Sequence, residues 1–443
     1  MFSVLMIMNQ FAPVNNCGAI PNTKLTKYLA REDVQITLVA DEIPPDAEVD
    51  ENLLPQEMDR IRTIRVGHSR LYHATLGKTR EKITNNGVKL KMKSETRPLR
   101  ARAVLKLKNM YIRLRTEDWL LTAKRQALQA LEGQHFDVVY SSYPNVEAHH
   151  LARELVKAGV ADHWIADFRD PKCYVEYDKF RYERSMRVQH SIERAADYIT
   201  VVSEGAMEKF LPEDREQNKI EYIPNGFDSD DFQIDAIGDN AGGDVLRFFY
   251  AGSLYAGKRD LTVLFQAISE LAQEGQIDPA KIRVEYAGNE WPVLLSYAQK
   301  YGLEDLCVNY GYITRTRVME IMGEIDCSLV CSHNTAADQG VVTGKVFELL
   351  LVGKPILAVV TGNLPDSELG GIVRECNAGL VFEEATAERD YPALKGWLKK
   401  AYDQKQTSGK LVSELDAQAR NRYHYSTIAH RLYEIMEALC EKK

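Results

Sequence analysis

Short apolar runs rich in Val, Ile, Leu, Phe and Tyr alternate along the whole chain with longer stretches whose apolar residues recur every three or four positions. This pattern predicts βαβ units, in which parallel strands are covered on both faces by the intervening helices. In the first half the strand-like runs are Ser3–Met8, Val34–Ala40, Ile64–Val66, Asp137–Ser142, Trp164–Phe168, Tyr198–Val202 and Lys219–Ile223. A second series comprises Leu246–Ala251, Arg283–Ala287, Val308–Tyr312, Cys327–Cys331, Pro355–Val360 and Gly379–Phe382. Between the two lies DAIGDNAGGD, Asp235–Asp244, which offers too little apolar surface to order itself and reads as a linker. The expected organisation is an α/β domain over residues 1–234, a linker over 235–244 and a second α/β domain over 245–425. Residues 426–443 form a last segment, where Ile428, Leu432, Ile435, Met436 and Leu439 stand at helical spacing. That helix either packs on the second domain or crosses back to the first.

A chain of 443 residues with 45% hydrophobic composition is long enough for two cores. Its formal charge of -8 excludes a general nucleic-acid binder. The charge is unevenly spread, however. From Lys78 to Arg115 thirteen Lys or Arg stand against only Glu81 and Glu95, so this insertion, 78–115, carries +11 and the rest of the chain -19. After Pro98, the residues Leu99, Ala103, Leu107, Met110, Tyr111 and Leu114 recur at helical spacing, which predicts a basic amphipathic helix. Residues 98–115 could lie on an anionic membrane surface, or the apolar face could pack on the domain with the basic face solvated. Met1–Met8 is too short for a signal peptide or a membrane span. Seven cysteines without a C-x-x-C pair fit neither a disulfide framework nor a zinc site. The expectation is a cytoplasmic protein, soluble or peripheral on the inner face of the cell membrane.

Three stretches carry candidate chemistry. RFFYAGSLYAGKRD, Arg247–Asp260, reads as a strand, a glycine turn and a helix start, where backbone N–H groups and Lys258 could meet an anion. It nearly spells a P-loop from Gly252 to Gly257 and Lys258, but Arg259 stands where a magnesium-binding hydroxyl is needed. In HNTAADQGVVTGKVFELLLVGKPILAVV, His333–Val360, a small-residue loop leads into a helix beginning near Gly344, with Glu348 one turn inside. A carboxylate there can hold a ribose diol while free N–H groups of Thr343–Val346 meet a diphosphate; alternatively, it only complements the helix dipole. WIADFRD places Asp167, Arg169 and Asp170 at the carboxyl end of a strand, where open α/β sheets bind ligands. Asp170 is a candidate acceptor contact or base, and Arg169 either holds an acceptor phosphate or pairs with an aspartate. Asp228-Ser229-Asp230 has the form of a D-x-D metal motif but follows IPNGF, where a solvated linker turn is the simpler reading. His149 and His150 read as packed or surface histidines.

The order of these pieces resembles glycosyltransferase family four, of the GT-B fold, over nearly the full chain. NQFAPVNNCGAIPNTKLTKYLA is similar to that family's first strand and glycine loop, and DVVYSSYPN, WIADFRDP, AADYITVVSEGAMEKF and KIEYIPNGFDSDDF resemble its later N-domain segments. YAGSLYAGKRDL, VEYAG and TGKVFELLLVGKPILAV follow in its C-domain order. The resemblance implies two Rossmann-like domains facing each other across a cleft, and a retaining, metal-independent transferase without cofactor. Such an enzyme moves a sugar from a nucleotide-sugar donor to a glycan or polyprenyl-linked acceptor in polysaccharide biosynthesis. It further implies donor contacts from Gly18, Gly252, Ser253, Lys258, Gly344, Lys345, Val346 and Glu348, with Lys258 on the diphosphate and Glu348 on the ribose. Two positions depart from the family pattern: Gly340 stands where the first acid of E-x7-E is common, and Ser253 where many members have Arg. A nucleotide hydrolase built on Gly252–Lys258, or an inactive sugar-nucleotide-binding protein, are the alternative readings.

Overall fold

The computed structural model describes residues 1–44, 47–75, 99–143, 146–169, 179–231 and 242–441. Its thirteen strands form two all-parallel sheets. The first has the order β3-β2-β1-β4-β5-β6-β7, from β1 (Phe2–Met8), β2 (Val34–Asp41), β3 (Arg62–Val66), β4 (Phe136–Tyr143), β5 (Ala161–Phe168), β6 (Tyr198–Val201) and β7 (Ile220–Tyr222). The second has the order β10-β9-β8-β11-β12-β13, from β8 (Leu246–Ala251), β9 (Ile282–Ala287), β10 (Cys307–Gly311), β11 (Cys327–His333), β12 (Ile356–Thr361) and β13 (Gly379–Glu383). Each strand-like run in the sequence coincides with one of these, its ends shifted by three residues at most. Central strands show no apolar/polar alternation because helices cover both faces: Val4 to Met8 are all buried. Adjacent Phe248 and Phe249 enter two different cores, one with Leu264, Ile268 and Leu398, the other with Phe347 and Leu350.

The described chain divides into two compact units. Unit 1 holds Met1–Val202, Met207–Ile223 and Ile428–Lys443, and unit 2 holds Ser203–Ala206 and Pro224–Thr427. The chain thus changes unit between Ile223 and Pro224, and residues 232–241, most of the expected linker, lie outside the described residues. The final helix, Tyr425–Cys440, buries Ile428, Leu432, Ile435, Met436 and Leu439. Within unit 1 its Arg431 Nε donates to Glu221 Oε1 at 2.6 Å, and its Tyr433 ring lies 5.3 Å from Phe2. Residues 78–98 of the basic insertion are outside the described residues; from Leu99 to Ala130 the chain is one helix. In unit 2, Lys405 brings an ammonium to Asp326 Oδ1 at 2.7 Å with both side chains fully buried, and Asp326 Oδ2 accepts the Arg247 N–H at 2.9 Å. This pair ties the amino-terminal ends of β8 and β11, opposite the candidate site.

Candidate donor site

Open parallel sheets bind ligands at the carboxyl ends of their strands, where the strand order reverses. In unit 2 that point lies between β8 and β11. Three strand ends are tied there by one hydroxyl: Thr361 Oγ1, closing β12, lies 2.7 Å from the Lys258 carbonyl and 3.3 Å from the Ser332 carbonyl. After β8 the chain turns at Gly252, whose φ of +145° suits glycine. Tyr255 and Ala256 follow at φ 51° and 53°, a costly pair for residues with a Cβ. What holds them is Glu290, from the turn after β9. Its carboxylate accepts from Ser253 Oγ at 2.5 Å and from the N–H groups of Leu254, Tyr255 and Ala256 at 2.6, 3.1 and 2.7 Å. These bonds, the Ser253 hydroxyl foremost, hold the Glu290 carboxyl below its usual range. The loop's N–H groups, expected to meet a phosphate, therefore already have an anion. Lys258 is exposed on this turn. Apart from a single 3-10 turn at Tyr255–Gly257, no α-helix begins until Thr262, so Gly252–Lys258 lacks the α-helix N-terminus a P-loop needs, and Arg259 is buried with its guanidinium 4.5 Å from the Tyr255 ring centre.

On the β11 side the helix Lys345–Val352 opens at Gly344 without a side-chain cap, which leaves its N-terminal dipole for an anion. Lys345 folds back, and its ammonium donates to the Ala251 carbonyl at 2.5 Å, in the space a Cβ on Gly252 would occupy. Burial, with the Arg259 charge adding to it, pushes the Lys345 ammonium below its usual range. Val346 is buried in the core and contributes backbone only. Glu348 Oε1 accepts from Arg315 Nη2 at 2.8 Å, and Arg315 also reaches Asp231 at 3.4 Å. Glu348 Oε2 carries no hydrogen bond among the described residues. Gly340 is locked: at φ +82° a Cβ would stand 2.7 Å from the Gly205 carbonyl carbon and 2.8 Å from Ser203 Oγ. The segment it touches is itself pinned, since Glu368 accepts the N–H groups of Glu204 and Gly205 at 2.8 and 3.2 Å. Asp228, expected to be solvated, is buried and accepts the Asp230 N–H at 3.0 Å. Among the described residues no group of three or more His, Cys, Asp or Glu could hold a metal ion.

In unit 1 the order reverses between β1 and β4. Gly18 opens the helix Ala19–Leu29, and Asn16 Oδ1 accepts the N–H groups of Gly18 and Ala19 at 3.0 and 2.8 Å. Asp167 is fully buried and accepts from Ser142 Oγ, Thr200 Oγ1 and Arg169 Nε at 2.9, 2.7 and 2.7 Å. Arg169 also donates to the Ile223 carbonyl at 3.2 Å. Arg169 is paired with Asp167 in this structure. Asp170 lies outside the described residues. His149 is buried against Phe168, its Nδ1 2.8 Å from Ser141 Oγ. Sequence reasoning missed Glu290, Arg315 and Thr361, because each acts on a loop more than thirty residues away in the chain. Only Glu290 left a trace, as an acid just past the glycine of VEYAG.

No protein-family model matches the chain, and no curated protein matches it in sequence. Solved structures do. Sucrose-phosphate synthase from Thermosynechococcus elongatus aligns at 13% identity over 100% of both chains with a TM-score of 0.56. The fold is the GT-B fold of glycosyltransferases. The apo lipopolysaccharide outer core galactosyltransferase WaaB matches at 11% identity over 98% of this chain and 99% of its own, TM-score 0.56. An Escherichia coli trehalose-6-phosphate structure bound with UDP-2-fluoro glucose matches at 14% identity over 99% of each, TM-score 0.57. At such identities the likeness establishes the two Rossmann-like folds and leaves chemistry to the residues of this chain.

Proposed function

We propose that the chain is a retaining glycosyltransferase that takes a sugar from a nucleotide-diphosphate donor held by unit 2. It passes the sugar to a glycan or polyprenyl-linked hydroxyl in polysaccharide synthesis. The observation that carries this reading is the convergence, at the β8/β11 strand ends, of Lys258, Lys345, an uncapped helix N-terminus and Glu348. Lys258 and the N-terminus at Gly344 stabilise the departing diphosphate, the main electrostatic contribution of the protein. Arg315 holds one oxygen of Glu348 and leaves the other to accept a ribose hydroxyl. The acceptor hydroxyl attacks from the face the diphosphate leaves, so no enzymatic nucleophile is required. The full-length likeness to a structure bound with UDP-2-fluoro glucose supports the donor class. An inactive sugar-nucleotide-binding protein would hold the same donors and turn none over.

The phosphate ligands in this reading are cations and N–H groups, so UDP, GDP, dTDP or ADP is expected to raise the melting temperature in excess EDTA. Glu348→Gln weakens that binding about tenfold, as loss of a charge-assisted hydrogen bond does, while Asp230→Asn leaves it unchanged. Binding that disappears on chelation and returns with magnesium or manganese, or a larger loss at Asp230, overturns the metal-independent donor site.

A further inference from the structure

Three residues in a row after β8, Tyr255, Ala256 and Gly257, have φ of 51°, 53° and 93°. Left-handed backbone normally occurs singly and at glycine, so a run with two side-chain-bearing residues needs an outside hold. Glu290 supplies it, and Glu290 is itself fixed. Its N–H donates to Tyr286 Oη at 3.0 Å, and the same hydroxyl donates to the Gly252 carbonyl at 3.0 Å, so one phenol ties both loops. Ser253 is pinned twice: its carbonyl accepts from Tyr250 Oη at 2.8 Å, and its hydroxyl donates to Glu290. Beyond the left-handed run, the Lys258 carbonyl accepts from Thr361 Oγ1 at 2.7 Å. The Lys258 backbone therefore stands between two anchors, the Glu290 clamp on one side and the end of β12 on the other. Of the two cations here, Arg259 is buried and Lys258 exposed.

Two features set this clamp apart from one that serves stability alone. It acts on exposed chain, since Ser253, Tyr255 and Ala256 are all exposed. It also places a carboxylate at the strand ends where an anion is to bind, and that charge by itself repels the ligand. The loss is offset only if the clamp improves what a cation on the same turn can do. A lysine ammonium is a point charge on a flexible stem, and a fixed backbone lowers the ordering cost of bringing it to a phosphate. We propose that Glu290 is a positioning residue, which sets the Lys258 backbone so that its ammonium meets the outer phosphate of a nucleoside diphosphate. Glu290 itself touches no ligand. The inference rests on the reading of unit 2 as a nucleotide-sugar site.

Calorimetric titration with the pairs UDP/UMP, GDP/GMP, dTDP/dTMP and ADP/AMP tests it, on wild type, Lys258→Met, Glu290→Ala and the double variant. For the pair that binds, the monophosphate Kd divided by the diphosphate Kd reads the grip on the outer phosphate. Lys258→Met is expected to lower this preference about tenfold, as loss of a charge-assisted hydrogen bond does. Glu290→Ala lowers it nearly as much and leaves the monophosphate Kd unchanged. In the Lys258→Met background Glu290→Ala adds less than about twofold, because it acts through that lysine. Tyr255→Gly with Ala256→Gly, added to Glu290→Ala, recovers part of the preference, since glycine takes these φ values freely. Should Glu290→Ala fail to fold, Glu290→Gln, which keeps one acceptor oxygen, gives a smaller and equally non-additive loss. Losses that add, a monophosphate Kd that rises with the diphosphate Kd, or no recovery by the glycines overturn the positioning role and leave the donor site standing. So does tighter diphosphate binding in Glu290→Ala, which would make the carboxylate a competitor of the phosphate. Wild type that prefers none of the four diphosphates to its monophosphate overturns the donor-site reading as well.

Discussion

Asp41, at the carboxyl end of β2, shows how one residue's surroundings set a property of the whole fold. Its Oδ1 accepts from Asn9 Nδ2 at 2.8 Å and Trp119 Nε1 at 3.1 Å, yet burial outweighs both bonds and pushes the carboxyl up to about 7. Between roughly pH 4 and 7 the folded chain keeps a proton that the unfolded chain has released, so this group makes stability fall as pH rises through that window and level off above it. Asp41→Asn keeps the acceptor and removes the charge. It should stabilise unit 1 by about 3 kcal/mol more at pH 8 than at pH 5. Urea unfolding of both proteins at the two pH values measures this; an equal gain at each would mean that Asp41 is not held protonated.

The helix Leu99–Ala130 has two faces with different neighbours. Trp119, Ala123 and Ala127, spaced by four, are buried. On the opposite face Met110, Leu114 and Leu121 are 54%, 46% and 72% exposed, with Arg113 and Arg115 beside them. Met110 and Leu114 are exposed among the described residues, and vesicle binding separates the two readings of the basic segment. On the membrane-surface reading, wild type co-sediments with vesicles containing anionic lipid and releases as salt rises, since surface attraction is screened over roughly 8 Å at physiological ionic strength. Joint replacement of Arg100, Arg102, Lys106 and Lys108 by Gln should abolish sedimentation, and so should Leu107→Ser with Met110→Ser, with the fold retained. Quadruple-variant protein that still sediments like wild type would sink the idea, as would an unfolded Leu107/Met110 double variant.

At the scale of the whole chain, neither unit is one continuous segment, and unit 1 is completed by residues 428–443. Leu432 is fully buried there, and Leu432→Ala should cost unit 1 about 2–5 kcal/mol while nucleotide affinity at unit 2 stays the same in the folded protein. With Trp291 and Trp397 of unit 2 replaced by Phe in both proteins, unfolding followed by emission from Trp119 and Trp164, both in unit 1, reports the first quantity and calorimetry the second; an unchanged midpoint would show that the last helix is dispensable. What the sequence by itself determined was every strand, the doubled parallel architecture and the buried stripe of the last helix. Each follows from burial patterns, which act over a few neighbouring residues and are written into the local order of apolar positions. Periodicity also located the two loops at the β8 and β11 ends. Only the tertiary structure decided who fills them: Glu290 rather than a phosphate in the β8 turn, Arg315 on Glu348, and Gly205 against Gly340. These contacts join loops more than thirty residues apart, and their partners are selected by which strand ends the sheet order brings together. No local pattern encodes that order, because every strand of a parallel sheet carries the same apolar signal.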